Sequence, residues 1–253
     1  MKKWNLMLIL LFAFYGHAEA SQLETNFLKK KDNLIETLLM AQIENARDLF
    51  SDPRLKLYPE IFERSTIKTG WEVVFTQESI DRGKQCLREN DLRLRKVEIQ
   101  YGVPKEILIG IYRVETNLGK NTGKYVVFNS LLTWCVSGDS RARWAERELT
   151  AYLMLCSENQ LDPFEIKGSS HGAFGLVQFI PSTFRKFALD GNGDGKIDLF
   201  NFEDAIVSSA HYLRKNGWGK RERQKKWALY AYNHDWGYVK AILKYSKLIK
   251  IQQ

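Results

Sequence analysis

A single carboxylate falls on the apolar face of a predicted helix near the middle of the chain. The segment YGVPKEILIGIYRVET starts at Tyr101, and a helix begun at Pro104 places Leu108, Ile111 and Glu115 on one stripe. Burial disfavours the charged form of a carboxyl group, so Glu115 could stay protonated near neutral pH and donate a proton to a leaving group. On helix geometry alone, the more common explanation is a buried glutamate paired with a basic residue, or one that faces water at a helix end.

A second group of residues could bind a cation, because oxygen-bearing groups recur at fixed spacing in the stretch DGNGDGKID. The first, third, fifth and seventh positions offer an oxygen from Asp190, Asn192, Asp194 and the backbone carbonyl of Lys196. Gly195 stands at the sixth position, where the chain must turn sharply. This spacing predicts an EF-hand-like loop for Ca²⁺, a hard cation that prefers about six to eight oxygens.

The loop departs from the usual pattern at its twelfth position. Asn201 stands there instead of a bidentate glutamate, and the next acids are Glu203 and Asp204. The alternative to a metal site is a solvated turn rich in glycine and aspartate.

Two further segments have compositions typical of ligand binding. Residues 168–183 (GSSHGAFGLVQFIPST) are mostly small, which lets backbone approach a ligand closely, and Gln178 offers amide donors and an acceptor. Residues 230–238 (YAYNHDWGY) combine aromatic rings with an amide, a set that suits sugars. Tight helix packing and an ordinary aromatic core are the alternatives for the two segments.

The elements that must position these residues are predicted to be helices. Apolar residues recur at helical spacing, and convincing alternating strands are scarce. Helices are expected in residues 24–50, Ser79–Gln100, from Pro104 onward, Arg143–Ser157, Asp204–Lys215 and Lys226–Ile249. The fold class is therefore mainly α, with a helical N-terminal portion at residues 21–95 and a core at 96–253.

The first twenty residues have the pattern of a secretory signal. Lys2 and Lys3 precede an apolar stretch, Leu6–Tyr15, and Ala18–Ala20 reads as a cleavage site. The apolar stretch is too short to span a bilayer, and no cysteine near the cleavage point could carry a lipid anchor. We expect an exported, periplasmic protein that is soluble after cleavage near Ala20, without a membrane span.

Net charge indicates which classes of partner the chain could bind, and the cysteines indicate whether a disulfide is possible. The formal net charge of +8 suits an anionic partner such as a cell-wall polymer or a membrane surface, and no nucleic-acid motif is found. Cys86, Cys135 and Cys156 could form one disulfide, whose pairing stays open, or remain as buried thiols. We expect a monomer that does not bind nucleic acid.

Taken together, these motifs resemble the B-type lytic murein transglycosylases, a lysozyme-like family that cleaves peptidoglycan. The resemblance covers about residues 70–245. It depends on the YGVP…VET block, the GS…GAFGLVQFIPS block and the metal loop that ends at Asp204, and it extends to Tyr232 and Asn233.

The resemblance implies a lysozyme-like core in which Glu115 is the single catalytic acid/base. This group would protonate the glycosidic oxygen between N-acetylmuramic acid and N-acetylglucosamine. It would then take the proton of the muramyl C6 hydroxyl as that oxygen attacks the anomeric carbon, giving a 1,6-anhydromuramyl end. One carboxylate could then suffice, whereas ordinary glycosidases use two.

The resemblance also implies a sugar groove and a structural calcium ion. The implied sugar-binding residues are Ser169, Gln178, Tyr212, Tyr232, Asn233 and Tyr238. The implied calcium ligands are Asp190, Asn192, Asp194, the Lys196 carbonyl and Asp204, within a loop at residues 190–204, with Asp198 acting through water.

The chain departs from this family at three places. Tyr212 and Tyr232 are close in sequence, where members of the family carry a longer insertion with a small β-rich subdomain. His171 replaces a small residue, and the lipid-anchor cysteine of well-known members is missing. Two other functions remain open: a muramidase that uses Glu115 with water, and a calcium-stabilised peptidoglycan-binding protein without catalysis.

Overall fold

The computed structural model describes residues 2–62 and 70–251, with side chains from Ala20 onward. The predicted signal peptide lies almost wholly outside the described side chains and stays a prediction. The described residues form these α-helices: α1 (Lys2–Met40), α2 (Ala46–Leu49), α3 (Gln77–Glu89), α4 (Asp91–Tyr101), α5 (Lys105–Thr116), α6 (Val127–Val136), α7 (Ala142–Glu158), α8 (Pro181–Phe187), α9 (Phe202–Lys215), α10 (Glu222–Tyr232) and α11 (Trp236–Leu248). The strands β1 (Tyr125–Val126) and β2 (Lys167–Gly168) pair antiparallel.

The chain divides into two compact units. The first comprises Met1–Thr66, Lys124–Ala173 and Ile180–Ser182, and the second comprises Ile67–Gly123, Phe174–Phe179 and Thr183–Gln253. The boundary between residues 95 and 96 stays a prediction of the sequence. Within the described part of the chain, no helix is long and apolar enough to cross a membrane.

The first unit is organised around α6, all of whose residues are buried. Helix α1 contributes two polar side chains that cap the end of α6. The Asn26 amide donates to the Val136 carbonyl oxygen at 2.9 Å, and the Lys30 ammonium donates to the Cys135 carbonyl oxygen at 2.9 Å. These bonds satisfy carbonyls that have no partner within a helix end.

The second unit is organised around α5, which packs against α3, α9 and α11. Gly110 of α5 faces Ile242 of α11, and a Cβ at this position would lie at an ordinary contact distance of 3.4 Å from the Ile242 side chain. At Gly83 a Cβ would collide with the Tyr245 hydroxyl, which donates to the Ser79 carbonyl oxygen at 2.6 Å. Helix α5 thus lies among packed helices of the unit and carries Glu115 in its last turn.

The predicted mainly helical fold is confirmed, but several helix bounds were wrong. The stretch Ser79–Gln100 is two helices that meet at Asn90, whose amide donates to the Cys86 carbonyl oxygen. The zone Lys226–Ile249 is likewise divided, because Asn233 leaves the helical region and the Asp235 carboxylate caps α11. The spacing of apolar residues does not reveal such breaks, because side chains that hydrogen-bond to backbone compete locally with the helix.

The N-terminal portion differs from expectation, whereas the cysteines follow one of the two alternatives left open by the sequence. The run predicted over residues 24–50 leaves the helix at Met40, and Gln42 adopts a left-handed φ of 65°. Within this helix the apolar side chain of Leu28 is exposed. All three cysteines are free thiols, so no disulfide forms in this structure.

Candidate functional site

Glu115 lies in the last turn of α5 and is half-buried. Burial raises the pKa of its carboxyl group to about 7, and the smaller, opposing effect comes from the Tyr238 hydroxyl. The C-terminal end of a helix carries partial negative charge, which further favours the neutral acid. No second carboxylate among the described residues perturbs this pKa. Glu115 can therefore carry a proton at neutral pH and release it to a basic leaving group.

Two tyrosines of the second unit lie beside this carboxyl group. Tyr238 is fully buried, and its hydroxyl interacts with Glu115 without forming a hydrogen bond of standard geometry in the described structure. Its ring stacks at 6.2 Å on that of Tyr232, and burial followed by the charge of Glu115 raises the pKa of both phenols. Both phenols thus remain protonated donors next to Glu115.

The turn after Glu115 has an unusual backbone. Asn117, Leu118 and Gly119 have consecutive left-handed φ values of 56°, 57° and 80°. The Arg82 guanidinium donates to the Asn117 side-chain and main-chain oxygens at 2.9 and 2.7 Å. Left-handed φ is costly for a leucine, so the surrounding contacts must hold this turn in place.

Thr116 connects the turn to the segment around Gln178. Its hydroxyl donates to the Leu176 carbonyl oxygen at 2.8 Å and accepts from the Gly119 amide at 3.2 Å. The Gln178 amide nitrogen donates to the carbonyl oxygens of Thr122 and Gly175 at 3.1 and 3.0 Å. The donors of Gln178 are thus engaged by backbone, which leaves its carbonyl oxygen as the group available to a ligand.

The remaining predicted sugar-binding residues have different surroundings. The hydroxyls of Tyr232 and Tyr212 donate to the carbonyl oxygens of Val177 and Ala231 at 2.8 and 2.7 Å, and the two rings lie 4.9 Å apart. The side chain of Asn233 is exposed and makes no hydrogen bond within the described structure. The tyrosine hydroxyls therefore fix ring positions, whereas the Asn233 amide is free to bind a ligand.

Ser169 belongs to the first unit, while the other predicted sugar-binding residues share the second unit with Glu115. Its hydroxyl accepts from the backbone amides of His171 and Ala173 at 3.2 and 3.1 Å. His171 packs against the Trp134 ring at 4.9 Å, and burial followed by Arg141 lowers the pKa of its imidazole. The histidine is thus part of a local aromatic packing arrangement.

The predicted metal loop has the turn expected from its glycines. Asp190 accepts from the amides of Gly193 and Gly195 at 2.6 and 2.8 Å, and Asn192 accepts from the amide of Asp194 at 2.9 Å. Gly193 and Gly195 have φ values of 78° and 84°, which favour glycine. These hydrogen bonds within the loop set its turn.

Asp204 joins the two ends of this loop and is 1% exposed. One carboxylate oxygen accepts from the amides of Gly191 and Asn192 at 2.8 and 3.3 Å, and the other accepts from that of Asp198 at 2.7 Å. Within the described residues, no group of three or more His, Cys, Asp or Glu side chains is arranged to hold a metal ion. The donor chemistry nevertheless fits a hard cation, because every candidate ligand offers oxygen.

The sequence did not predict the residues that hold the surroundings of Glu115 in place. Arg82 and Thr116 fix the turn, and Trp71 packs edge-on against Tyr238 at 6.2 Å. Only Thr116 had a signal, as part of the VET motif. The others come from distant elements, where a single sequence offers no indication of proximity.

Comparison with known proteins identifies relatives. A family model described as the transglycosylase SLT domain matches residues 54–247. Membrane-bound lytic murein transglycosylase B of Escherichia coli (strain K12) is 36% identical over 148 residues, which make up 58% of this chain and 41% of that protein. The chain thus matches less than half the length of this curated relative.

Two solved structures have the same fold. The Escherichia coli lytic transglycosylase SLT35, in complex with calcium, gives a TM-score of 0.79 at 22% identity, covering 87% of this chain and 92% of that one. Pseudomonas aeruginosa SltB3, in complex with NAG-anhNAM-pentapeptide, gives 0.76 at 20% identity, covering 88% and 79%.

Proposed function

Because the chain belongs to the transglycosylase SLT domain family, we propose that it is a peptidoglycan lytic transglycosylase that uses Glu115 as its single acid/base. The observation that carries the proposal is the raised pKa of Glu115, about 7, without a second perturbing carboxylate in the described residues. A two-carboxylate glycosidase needs a partner group close to its acid. A nucleophilic hydroxyl on the substrate itself removes that need.

The proposed reaction proceeds by internal displacement. The protonated Glu115 donates its proton to the oxygen that links muramic acid C1 to N-acetylglucosamine, and the C1–O bond breaks. The muramyl C6 oxygen forms a new bond to C1, while its proton passes to the Glu115 carboxylate. The acid is regenerated, water is not consumed, and the product ends in a 1,6-anhydro ring.

The surrounding residues would orient the sugars. We assign substrate contacts to Gln178 through its carbonyl oxygen, to Asn233 through its amide, and to the rings of Tyr212 and Tyr232. Tyr238, predicted as a further contact, is fully buried and is assigned instead to the surroundings of Glu115. Ser169 is assigned a further contact on the family resemblance. SltB3 binds NAG-anhNAM-pentapeptide, which supports a muropeptide as the ligand class for this chain.

Product analysis tests the reaction. Purified sacculi are digested, and soluble fragments are separated by mass spectrometry, in which a hydrolysed end is one water heavier than an anhydro end. We expect anhydro ends from the wild type and almost no turnover from Glu115→Gln. Glu106→Gln, at the opposite end of α5, is the matched control and should retain activity.

The two alternatives give different results in the same assay. Reducing ends would identify a muramidase. Binding to sacculi without soluble fragments would identify a non-catalytic binding protein. Full activity of Glu115→Gln would refute the assignment of the acid.

We further propose that the loop binds Ca²⁺ through Asp190, Asn192, Asp194, the Lys196 carbonyl and Asp204. The oxygen-only donor set and the calcium complex of SLT35 support this ion. The ion would stabilise the connection between the loop and α9, where Asn201 caps the helix, and would supply no reacting group. A chelator should lower the Tm, and an unchanged Tm would argue against the site.

The predicted location follows from the substrate. Peptidoglycan lies outside the cytoplasm, and the N-terminal signal pattern suits export to the periplasm. Detection of the processed chain in a periplasmic extract, cleaved near Ala20, is the test.

A further inference from the structure

An exposed cluster of aromatic rings lies on the second unit where α10 ends and α11 begins. The cluster consists of Trp227, Tyr230 and Trp236. Trp227 and Trp236 are 51% and 43% exposed, although large aromatic side chains contribute most when they are buried. The assigned sugar contacts at Glu115 do not include these three rings.

The rings are held in a defined arrangement. Tyr230 and Trp236 stack at 4.5 Å with an interplanar angle of 25°. Trp227 meets both rings edge-on, at 5.5 Å from Tyr230 and 5.3 Å from Trp236. Mutual packing across two helices fixes the rings before any ligand arrives, which lowers the entropy lost on binding.

Basic side chains flank the cluster. Arg223 precedes Trp227 by one helical turn, and Lys240 follows Trp236 by one helical turn, so each shares a face with an indole. Both are exposed, and neither forms an ion pair within the described part of the chain. The nearby acids are engaged, since Glu222 pairs with Lys225 and Asp235 caps the Gly237 amide.

The cluster is also connected to the surroundings of Glu115. Trp236 and Tyr238 belong to the first turn of α11, and Asn233 closely precedes that turn. Trp71 packs against Gly237, which stands between Trp236 and Tyr238 in the sequence. The ring of Trp71 lies edge-on to that of Tyr238. The exposed rings and the assigned sugar contact at Asn233 therefore belong to the same junction between α10 and α11.

We propose that Trp227, Tyr230 and Trp236 form a second glycan-binding platform, separate from Glu115, that stacks on a pyranose ring of the same polysaccharide strand. The inference rests on the proposed function for its ligand class. Stacked rings suit the apolar face of a sugar, and the flanking Arg223 and Lys240 suit the carboxylates that muramyl residues and their peptides carry. The platform binds the polymer and takes no part in bond cleavage.

The test measures binding without turnover, in the Glu115→Gln background, with chitohexaose, chitotriose and insoluble sacculi as probes. Trp227→Ala/Trp236→Ala should weaken chitohexaose and sacculus binding by at least about 10-fold, the effect of losing an aromatic hot spot, and change chitotriose binding less. Leu92→Ala/Ile99→Ala, which removes two exposed apolar side chains of α4, is the matched control and should bind normally.

Two further double variants distinguish a stacking role of the rings from the effect of apolar surface area and from the effect of misfolding. Trp227→Tyr/Trp236→Tyr keeps the rings and should retain most of the binding. Trp227→Leu/Trp236→Leu keeps apolar surface area and should lose the binding. Unchanged binding by the alanine pair, or equal binding by the leucine and tyrosine pairs, would overturn the platform.

A membrane role for the same rings is tested with anionic phospholipid vesicles. Loss of vesicle binding with normal sacculus binding would also overturn the proposal. The proposed function is judged separately, because release of anhydro fragments by the wild type does not depend on the platform variants. Wild-type turnover with no binding defect in the alanine pair would refute the platform alone.

Discussion

Glu115→Gln should stabilise the protein at alkaline pH while it removes activity. In the folded chain the pKa of Glu115 is about 7, against an ordinary value of 4.5. Between these values the folded state binds a proton that the unfolded state has released, so the stability of the wild type falls as pH rises through this window. At about 1.4 kcal/mol per pH unit, the loss amounts to about 3 kcal/mol.

The variant lacks this dependence because glutamine does not titrate. Below pH 4.5 both chains carry a neutral side chain of similar shape and should be similarly stable. Above pH 7 the variant should be more stable by about 3 kcal/mol, since the wild type then holds a carboxylate in a desolvated position. Such a cost is expected where a group is retained for chemistry.

Hydrogen exchange of the α5 amides across this pH range measures the effect within the second unit itself. Asp91→Asn is the control of opposite sign, because hydrogen bonds first from Lys105 and then from Arg95 lower the pKa of Asp91. That variant should lose stability at neutral pH and recover it in acid. A stability difference between Glu115→Gln and the wild type that does not change with pH would refute the reasoning.

Three other variants test the supports of the site. Arg82→Ala should lower kcat by about 10-fold or more with a smaller change in KM, because the turn at Asn117 loses two hydrogen bonds. Steady-state kinetics on sacculi measure the effect, and an unchanged kcat would contradict this prediction. Thr116→Val should reduce the free energy of unfolding by about 1–3 kcal/mol, since the buried Leu176 carbonyl loses its donor, and urea denaturation measures it. Asp190→Asn should abolish the part of the Tm that depends on Ca²⁺, whereas a Tm that still rises on calcium addition would exclude this ligand set.

The sequence alone was sufficient for features that depend on local spacing. The helix around Glu115 follows from apolar residues one turn apart, and the loop at Asp190 follows from alternating oxygen side chains and glycines. Such patterns depend only on neighbours along the chain, and they therefore predict both the helix and the position of the carboxylate on it. The family resemblance depends on the same local blocks.

Helix ends and buried helices were harder to predict. The break at Asn90 depends on a side chain that bonds to backbone, a competition that apolar spacing does not report. Helix α6 was missed because it is buried on every side and so has no polar face to set a period. These features are decided by what surrounds the helix.

Only the tertiary structure decided the pKa of the Glu115 carboxyl group. Its raised pKa requires desolvation by neighbouring elements, and the smaller, opposing effect comes from Tyr238 on α11, far along the chain. The left-handed turn at Asn117 likewise depends on Arg82 from α3. The sequence determined which group can carry the proton, because helical spacing is local, whereas the fold determined when it does so, because burial and hydrogen bonding join residues that spacing cannot relate.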